Sequence, residues 1–199
     1  AVVNRPICIT WNQPEDPDYL TPLPESKESD FTSVSGCGVV SSPLGYRVTS
    51  KRKGLAGLVL KELASPLTGK VTLKTTVQSS VQKSGLLNNG YLVLGNGPQD
   101  KQLVKCGVRI QAGQALIAQG ALNKGTAKRA DLPIEDGQPV QITVVIDLSE
   151  QMVTMTADKV IVEVKLEQPL ESIKHVGYAV DNAVIDFAPI EIATEVVKR

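Results

Sequence analysis

Apolar and polar residues alternate with a period of two along most of this sequence. In the stretch 140–148, every second residue from Val140 to Leu148 is valine, isoleucine or leucine, and mostly polar residues lie between them. In the stretch 70–77, Val71, Leu73 and Val77 alternate with lysine and threonine. This alternation is typical of β-strands that bury one face.

Short turns separate the strongest of these strands from the next two. Ser149-Glu150 and Asp158-Lys159 divide the stretch 140–148 from alternating segments at 152–157 and 160–166. Small polar residues between apolar runs favour tight turns, because they tolerate the unusual backbone angles that a turn needs. The pattern therefore predicts a three-stranded antiparallel meander.

The end of the chain shows the same alternation. Residues 175–192 alternate and are divided at Asp181-Asn182, which predicts two strands joined by a turn. Further strands are predicted at 37–41, 46–51, 55–63, 91–95, 103–110 and 114–120. No window has the apolar spacing of a helix, although residues 169–173 could form one short turn. The total is roughly twelve to fourteen strands.

So many short strands cannot bury their apolar faces in a single layer, whereas two packed antiparallel sheets can. We therefore predict an all-β fold, a two-sheet antiparallel β-sandwich of the jelly-roll type, over residues 36–194. We predict that residues 195–199 form a tail.

Residues 1–35 differ from the rest in composition. They hold five of the twelve prolines and the only tryptophan, with six acidic residues against two basic ones. Proline removes backbone donors, so we predict either a linker or an irregular extension along the surface, which Trp11, Tyr19 and Phe31 could attach to the domain. The alternative is that these residues form a mobile N-terminal leader with no function of its own. Because the chain starts at Ala1, we expect a processed protein or a fragment of a longer one.

Composition narrows the classes of function. The net charge is zero, and the mild positive excess beyond residue 35 does not indicate nucleic-acid binding, although it leaves room for an anionic sugar. Aromatic residues make up only 4% of the chain, which predicts an aliphatic core and argues against a sugar site built from a row of exposed rings. No apolar run is long enough to span a membrane.

The three cysteines, Cys8, Cys37 and Cys106, are far apart and form no metal-binding or redox motif. Cys106 alternates in phase with Val104 and Val108, so we predict a buried structural thiol there. A disulfide between Cys8 and Cys37 is possible, because both lie in the N-terminal part of the chain.

Three stretches together resemble the concanavalin A-like lectin/glucanase (laminin G-like) domains. They are Gly90-Tyr-Leu-Val-Leu-Gly95 with the following Asn-Gly turn, the meander at 140–166, and the closing Val-Gly-Tyr…Asn-Ala…Phe-Ala-Pro-Ile-Glu-Ile. The resemblance covers about residues 36–193. Its motifs mark strand ends and turns rather than a site, and Gly90 and Gly95 are expected to let neighbouring backbone pack closely.

The resemblance implies a setting that the residues alone do not. Modules of this kind are often appended to secreted or periplasmic sulfatases and glycoside hydrolases that degrade polysaccharides. It therefore implies secretion to the outside of the cell or the periplasm, with a polysaccharide, or the catalytic domain of a parent hydrolase, as partner.

No catalytic constellation is evident. Glycosidases of the family that this sequence resembles carry a Glu-x-Asp-x-x-Glu pattern. The nearest match here has Val145 in place of the first glutamate, followed by Asp147 and by Glu150 in a turn. His175 is the only histidine, and the sequence has no Gly-x-Ser-x-Gly nucleophile elbow that could work with it. None of the cysteines lies in the Cys-x-Pro-x-Arg motif that a sulfatase needs. Gly69-Lys70 lacks the rest of a phosphate-binding loop.

Four residues are candidates for binding carbohydrate. Lys105 and Arg109 would share the sheet face opposite Cys106, and Tyr91 and Tyr46 could stack on a sugar ring. A solvated sheet face explains the two charges equally well. The basic run Lys51-Arg52-Lys53 is either a solvated loop or a contact for an anionic polysaccharide.

We expect no cofactor and no metal. Asp181, Asn182 and Asp186 could hold a structural calcium ion, but Asp181-Asn182 is also what a turn favours.

These observations favour a non-catalytic module that binds carbohydrate or packs against a catalytic domain. A divergent glycoside hydrolase with its own active site, and a purely structural assembly domain, are the alternatives.

Overall fold

In a computed structural model, the structure describes residues 30–50, 57–80, 86–122 and 126–194. Within these ranges the chain forms fifteen β-strands in two antiparallel sheets. A single-turn 3₁₀ helix, Asp100–Gln102, directly precedes one of the strands. None of the described helices has the length and apolar character that crossing a membrane requires.

Sheet A contains seven strands. In spatial order they are β1 (Thr32–Ser35), β4 (Gly57–Leu67), β13 (Ile173–Asp181), β6 (Asn89–Gly95), β7 (Leu103–Arg109), β8 (Gln114–Gln119) and β9 (Thr126–Asp131). Strands β6 to β9 follow one another along the chain, so this half of the sheet is a meander.

Sheet B contains eight strands. In spatial order they are β12 (Val160–Lys165), β11 (Met152–Ala157), β10 (Val140–Asp147), β5 (Lys70–Ser79), β14 (Ala183–Phe187), β3 (Tyr46–Ser50) and β2 (Gly38–Ser41). The last strand, β15 (Glu191–Thr194), pairs with β5 as β14 does, further along the same edge.

The predicted fold class is confirmed: the chain is an all-β, two-sheet jelly-roll sandwich. The predicted meander corresponds to β10, β11 and β12, which pair in sequence. In β5, Val71, Leu73 and Val77 are fully buried, and Thr75 in the same phase is 6% exposed, whereas Thr72, Lys74 and Thr76 on the other face are half-buried. Alternation identified these strands because each has one face in the core and one in contact with water.

The prediction for the end of the chain needs correction. Residues 175–192 belong to three strands, and the turn at Asp181-Asn182 joins β13 of sheet A to β14 of sheet B. It is a crossover between the sheets and not a hairpin. Asn182 has a positive φ of 47°, a conformation that asparagine tolerates well. Pro189 lies in the gap between β14 and β15, where it interrupts the ladder because it has no N–H.

Aliphatic side chains from both sheets fill the space between them, and Cys106 is fully buried there as predicted. Aromatic rings cluster in one part of this core. Tyr178 stacks on Phe187 with ring centroids 4.4 Å apart, and Tyr46 and Phe31 pack beside them. The Tyr178 hydroxyl donates a hydrogen bond to the carbonyl of Ala188 at 2.8 Å, and the Thr75 hydroxyl donates to the same carbonyl at 2.7 Å.

Two strands were missed by the sequence pattern. Strand β1 comprises the last four residues of the predicted extension and pairs with β4 at the edge of sheet A. Strand β9, Thr-Ala-Lys-Arg-Ala-Asp, has no large apolar residue and pairs with β8 at the other edge. Both are edge strands, which pair on one side only and so need fewer buried side chains than central strands.

Candidate functional site

The face of sheet A that points away from sheet B has an apolar centre. Its side chains come from five strands, and each is at most 4% exposed. These residues, called the apolar centre below, are Leu58, Leu60, Tyr91, Val93, Leu103, Leu116, Ala118 and Ala179. Because they alternate with residues of the inter-sheet core, the strands that carry them are apolar on both faces.

Next to the apolar centre, polar side chains form a row across five strands of the same face. The pairing is continuous: Asp181 lies opposite Asn89, Asn89 opposite Arg109, Arg109 opposite Gln114, and Gln114 opposite Asp131. Directly opposed residues in antiparallel strands place their side chains on the same face, about 5 Å apart. These five residues, called the polar row below, therefore lie side by side from β13 to β9.

Access to the polar row increases from one end to the other. Asp181 and Asn89 are buried, Arg109 and Gln114 are half-buried, and Asp131 is exposed. The Arg109 guanidinium donates a weak hydrogen bond to the Gln114 side-chain oxygen, with a nitrogen-to-oxygen distance of 3.4 Å. The accessible end therefore presents donors and acceptors together, which is what recognition of a polar ligand requires.

Arg129 extends the charged character of this end. It is exposed on β9 opposite Leu116, and so lies on the outer face one step inward from Asp131. Together with Arg109 it gives this part of the sheet two guanidinium groups, which bind carboxylate, sulfate or phosphate groups in a bidentate manner.

Tyr91, predicted to stack on a sugar, lies in the apolar centre beside the polar row and is 1% exposed. Burial is the largest cause that raises the pKa of its hydroxyl, opposed by the positive charges of Arg109 and Arg129 and reinforced by Asp181. The phenol therefore stays neutral, and its ring has no open face for stacking in this structure.

Lys105 is placed on the predicted face but not in water. The interpretation of Lys105 as part of a solvated sheet face is wrong. Its side chain is only 1% exposed, and its ammonium group donates a hydrogen bond to the carbonyl of Gly120 at 2.7 Å. Its cross-strand neighbours Val93 and Ala118 belong to the apolar centre. The charge lies in a covered region, where a hydrogen-bond acceptor offsets part of the cost of leaving water.

Tyr46, the fourth predicted residue, lies far from this face. It belongs to β3 in sheet B, points into the core and is 5% exposed. Its ring is 5.1 Å from that of Phe31 and 6.0 Å from that of Tyr178, measured between centroids. The structure therefore brings Tyr91, Lys105 and Arg109 together on one face and leaves Tyr46 in the core.

The sequence contained a signal for the residues that were missed. The predicted strands 103–110 and 114–120 are joined by a short loop, so Arg109 and Gln114 had to lie opposite each other. Asn89 then follows from pairing with the strand before them. Asp131 could not be found in this way, because strand β9 itself was not predicted.

The remaining candidates have other roles or lie elsewhere. Lys51-Arg52-Lys53 and Cys8 fall outside the described residues, and Cys37 carries a free thiol. Asp147 accepts hydrogen bonds from the Ser149 hydroxyl at 2.6 Å and from two backbone N–H groups of its turn. These contacts, led by the hydroxyl, lower the pKa of its carboxyl group.

The carboxylate of Asp186 is engaged by an arginine. Arg47 donates to both of its oxygens, at 2.8 and 2.9 Å. Within the described residues, no group of three or more histidine, cysteine, aspartate or glutamate side chains could hold a metal ion. Because both oxygens of Asp186 are bonded to Arg47, this residue gives no support to a calcium site with Asp181 and Asn182.

Acidic side chains in sheet A are widely separated. The strands of this sheet carry three, Glu62, Asp131 and Asp181, and four strand spacings separate Asp181 from Asp131. At about 4.8 Å for each spacing, these two carboxyls are roughly 19 Å apart. Glycosidases need two carboxyls about 5–10 Å apart, so the polar row does not have that arrangement.

Glycines bring the backbones of this sheet unusually close. A side chain on Gly107 would overlap the carbonyl oxygen of Gly90, and one on Gly95 would overlap that of Gln102. The expected role of Gly95 in close backbone packing is thus confirmed. Gly90 differs, because a side chain there would meet Val77 and Ile185 of sheet B.

No protein-family model matches this chain, and no curated protein matches its sequence. Solved structures do match. The carbohydrate-binding module CBM66 from Bacillus subtilis has a TM-score of 0.68 and 12% identity, over 83% of this chain and 96% of that chain. The chain therefore shares its jelly-roll fold with that module.

Two further structures show the same likeness. The carbohydrate recognition domain of Emp46p, in a metal-free form, has a TM-score of 0.63 and 11% identity, over 90% of this chain and 97% of that chain. That of Emp47p has a TM-score of 0.54 and 16% identity, over 89% of this chain and 95% of that chain. At such low identity, the likeness of this chain to these proteins is one of fold.

Proposed function

We propose that this chain is a non-catalytic carbohydrate-binding β-sandwich, and that the polar row forms its contact with the sugar. The observation that supports this is the continuous line of Asp181, Asn89, Arg109, Gln114 and Asp131 across one sheet face. Sugars present neighbouring hydroxyls that both donate and accept hydrogen bonds. Carboxylate, amide and guanidinium groups side by side match that chemistry.

The accessible end of the row favours an acidic sugar. Arg109 is half-buried and Arg129 is exposed, and their guanidinium groups suit a sulfate or carboxylate substituent. The buried end, with Asn89 and Asp181, holds its side chains in fixed positions. In this proposal the ligand lies over β7, β8 and β9, and Tyr91, which is buried beside the polar row, does not stack on the sugar.

The setting that we propose is an accessory role in a larger secreted or periplasmic hydrolase that acts on polysaccharides, such as a sulfatase or a glycoside hydrolase. The support is the resemblance of the sequence to modules of that kind, together with the lectin-like fold. The partners would then be a polysaccharide and the catalytic domain of the parent protein.

A binding screen against neutral and sulfated polysaccharides, with release of reducing ends assayed in the same wells, tests the proposal. We expect binding without release, strongest for sulfated or uronic-acid polymers. Gln114→Ala should weaken binding roughly tenfold and Arg109→Ala somewhat more, as loss of one hydrogen bond and of one charged hydrogen bond implies.

Matched controls lie on the outer face of sheet B. Gln141→Ala removes an exposed amide there, and Lys165→Ala removes an exposed charge. Both should leave binding unchanged. Equal losses in the controls would show that general charge and not the polar row governs binding, and release of reducing ends would establish an enzyme instead.

An assembly domain is the second candidate, and the low aromatic content favours it. Aromatic residues make up only 4% of the chain, and the two rings predicted to stack on a sugar, Tyr91 and Tyr46, are only 1% and 5% exposed. If no polysaccharide binds, and Arg109→Ala alters nothing, a structural role within the parent protein would explain the fold better.

A further inference from the structure

The dipeptide Asn-Gly occurs twice in the sequence, as Asn89-Gly90 and as Asn96-Gly97, and the fold places the two copies in different settings. Asn89 and Gly90 begin β6, between its neighbours β13 and β7. Asn96 and Gly97 follow the end of the same strand, in the bend that leads to the 3₁₀ helix. A glycine after asparagine carries no side chain, so its backbone nitrogen can approach the side-chain carbonyl of the asparagine.

A side chain from a distant part of the chain contacts the amide group of Asn96. The Ser172 hydroxyl donates a hydrogen bond to the Asn96 Oδ1 atom, at 3.3 Å. Ser172 directly precedes β13, so its place beside Asn96 is a property of the fold and not of the local sequence. A donor at this oxygen stabilises the negative charge that the oxygen acquires when a nucleophile attacks the carbonyl carbon. Both residues are half-buried, so water reaches the pair.

We propose that Asn96-Gly97 is a site of spontaneous deamidation and backbone isomerisation, assisted by the Ser172 hydroxyl. The Gly97 backbone nitrogen loses its proton to hydroxide and forms a bond to the Asn96 side-chain carbonyl carbon, and the side-chain amide leaves as ammonia. The resulting cyclic succinimide takes up one water molecule at either of its two carbonyl carbons. Ring opening yields aspartate or isoaspartate at position 96, with no change of oxidation state.

Asn89-Gly90 provides an internal reference that the sheet protects. Ring closure requires the backbone to rotate until the glycine nitrogen faces the asparagine side chain. In β6 the hydrogen-bonded ladders to both neighbouring strands hold the backbone extended. The inner side of the strand is closely packed as well, because a side chain on Gly90 would meet Val77 and Ile185. The same dipeptide is therefore inert here until β6 opens.

The bend around Asn96 leaves little room for the isoaspartate product. A side chain on Gly95 would overlap the backbone oxygen of Gln102, and one on Gly97 would overlap the Gln102 side chain. Isoaspartate adds a methylene group to the main chain at this point, so the close-packed connection between β6 and β7 must rearrange to accommodate it. We expect the isoaspartate fraction to unfold at a lower temperature than the unmodified chain.

Incubation of the folded chain in mildly alkaline buffer, followed by peptide mapping with mass spectrometry, tests the proposal. Rates in denaturant give the intrinsic reactivity of each dipeptide. Relative to these, we expect conversion in the folded chain to be at least about tenfold faster at position 96 than at position 89, which waits for local opening of β6. The rate should rise with pH, because the attacking nitrogen must lose its proton. Equal relative rates would overturn the proposal, and so would aspartate without isoaspartate, which only ring opening forms.

Variants of Ser172 test its part in the reaction. Ser172→Ala should slow conversion at position 96 about fivefold, as the loss of one hydrogen bond implies, and Ser172→Thr, which keeps the hydroxyl, should retain most of the rate. Ser41→Ala, which removes an exposed hydroxyl at the edge of sheet B, should change nothing. In denaturant all of these chains should convert alike. A folded Ser172→Ala chain that converts as fast as wild type would refute the assistance.

This reaction does not depend on sugar binding. A chain that binds no polysaccharide could still convert at position 96. Conversely, a chain that binds sulfated polymers could keep Asn96 intact, which would refute only the deamidation site.

Discussion

The outer faces of the two sheets of this sandwich differ in composition and in exposure. On the outer face of sheet A, Leu58, Val93 and Leu116 are 4%, 0% and 2% exposed. On sheet B, threonines and lysines of β5, β10 and β11 face outward, and side chains such as Thr143 are half-buried. Both faces come from strands of one fold. Only sheet B shows the strict alternation expected of a sheet with one face in water.

The difference shows where the fold ends and a further interaction begins. Most outer side chains of sheet B are polar, and its exposed apolar exceptions, Val40 and Ile161, lie on the separate strands β2 and β12. Sheet A needs a cover, and its strands indicate this in sequence: Gly57-Leu-Val-Leu60 and Tyr91-Leu-Val-Leu94 have apolar residues on both faces. Continuous apolar runs of this kind are typical of strands buried on both sides.

The largest effect on this contrast should come from Gly107→Ala in sheet A. The new methyl group would overlap the backbone oxygen of Gly90, and neither strand can move without breaking the ladder. We expect a loss of about 3 kcal/mol or more in the free energy of unfolding, measured by denaturant titration. Gly38→Ala in sheet B meets nothing within 4 Å and should change stability by less than about 0.5 kcal/mol. Similar losses in both would show that backbone approach in sheet A is not limiting.

A smaller effect should follow from removing Lys105. Lys105→Ala leaves space in the covered region and deprives the Gly120 carbonyl of its donor. We expect a loss of about 2–3 kcal/mol by thermal or denaturant unfolding. Lys165→Ala, which removes an exposed lysine of sheet B, should stay within about 0.5 kcal/mol. If Lys105→Ala behaves like Lys165→Ala, then the outer face of sheet A is open in solution.

The smallest effect concerns the exposed turn after β10, and it depends on pH. Hydrogen bonds from Ser149 and from the turn backbone lower the pKa of Asp147 in the folded state. Stability from this group is therefore present above the unfolded value near 3.9 and is lost as the pH falls through the lower folded pKa. Asp147→Ala should be less stable than wild type at neutral pH, with the difference vanishing in acid. A constant difference across the pH range would contradict this assignment.

The sequence predicted the sandwich well because its strongest strands alternate. The run from Val140 to Leu148, and the two turns after it, could form little else than a meander. Strand β9 could not be found, because its place at an edge depends on pairing with β8 and not on apolar side chains. The turn at Asp181-Asn182 was predicted but its crossover between the sheets was not, because turn residues do not reveal whether the next strand joins the same sheet.

The site was partly predictable for the same reason. Tyr91, Lys105 and Arg109 share a face because of simple alternation. Their burial could not be read from alternation, since it depends on what lies over the sheet. Tyr46 was harder to place. In a short strand the sequence pattern does not show which face an aromatic side chain occupies, so its position in the core became clear only from the fold.

The split edge of β5 has a mechanical consequence. Strand β15 pairs with β5 over four residue pairs, from Glu191–Lys74 to Thr194–Val71, in the middle of sheet B. Tension on the chain beyond Thr194 would act along the strand axis, so these pairs would resist together in shear rather than open one at a time. The Ala188 carbonyl, held by Thr75 and Tyr178, would then carry the pull into both sheets at once.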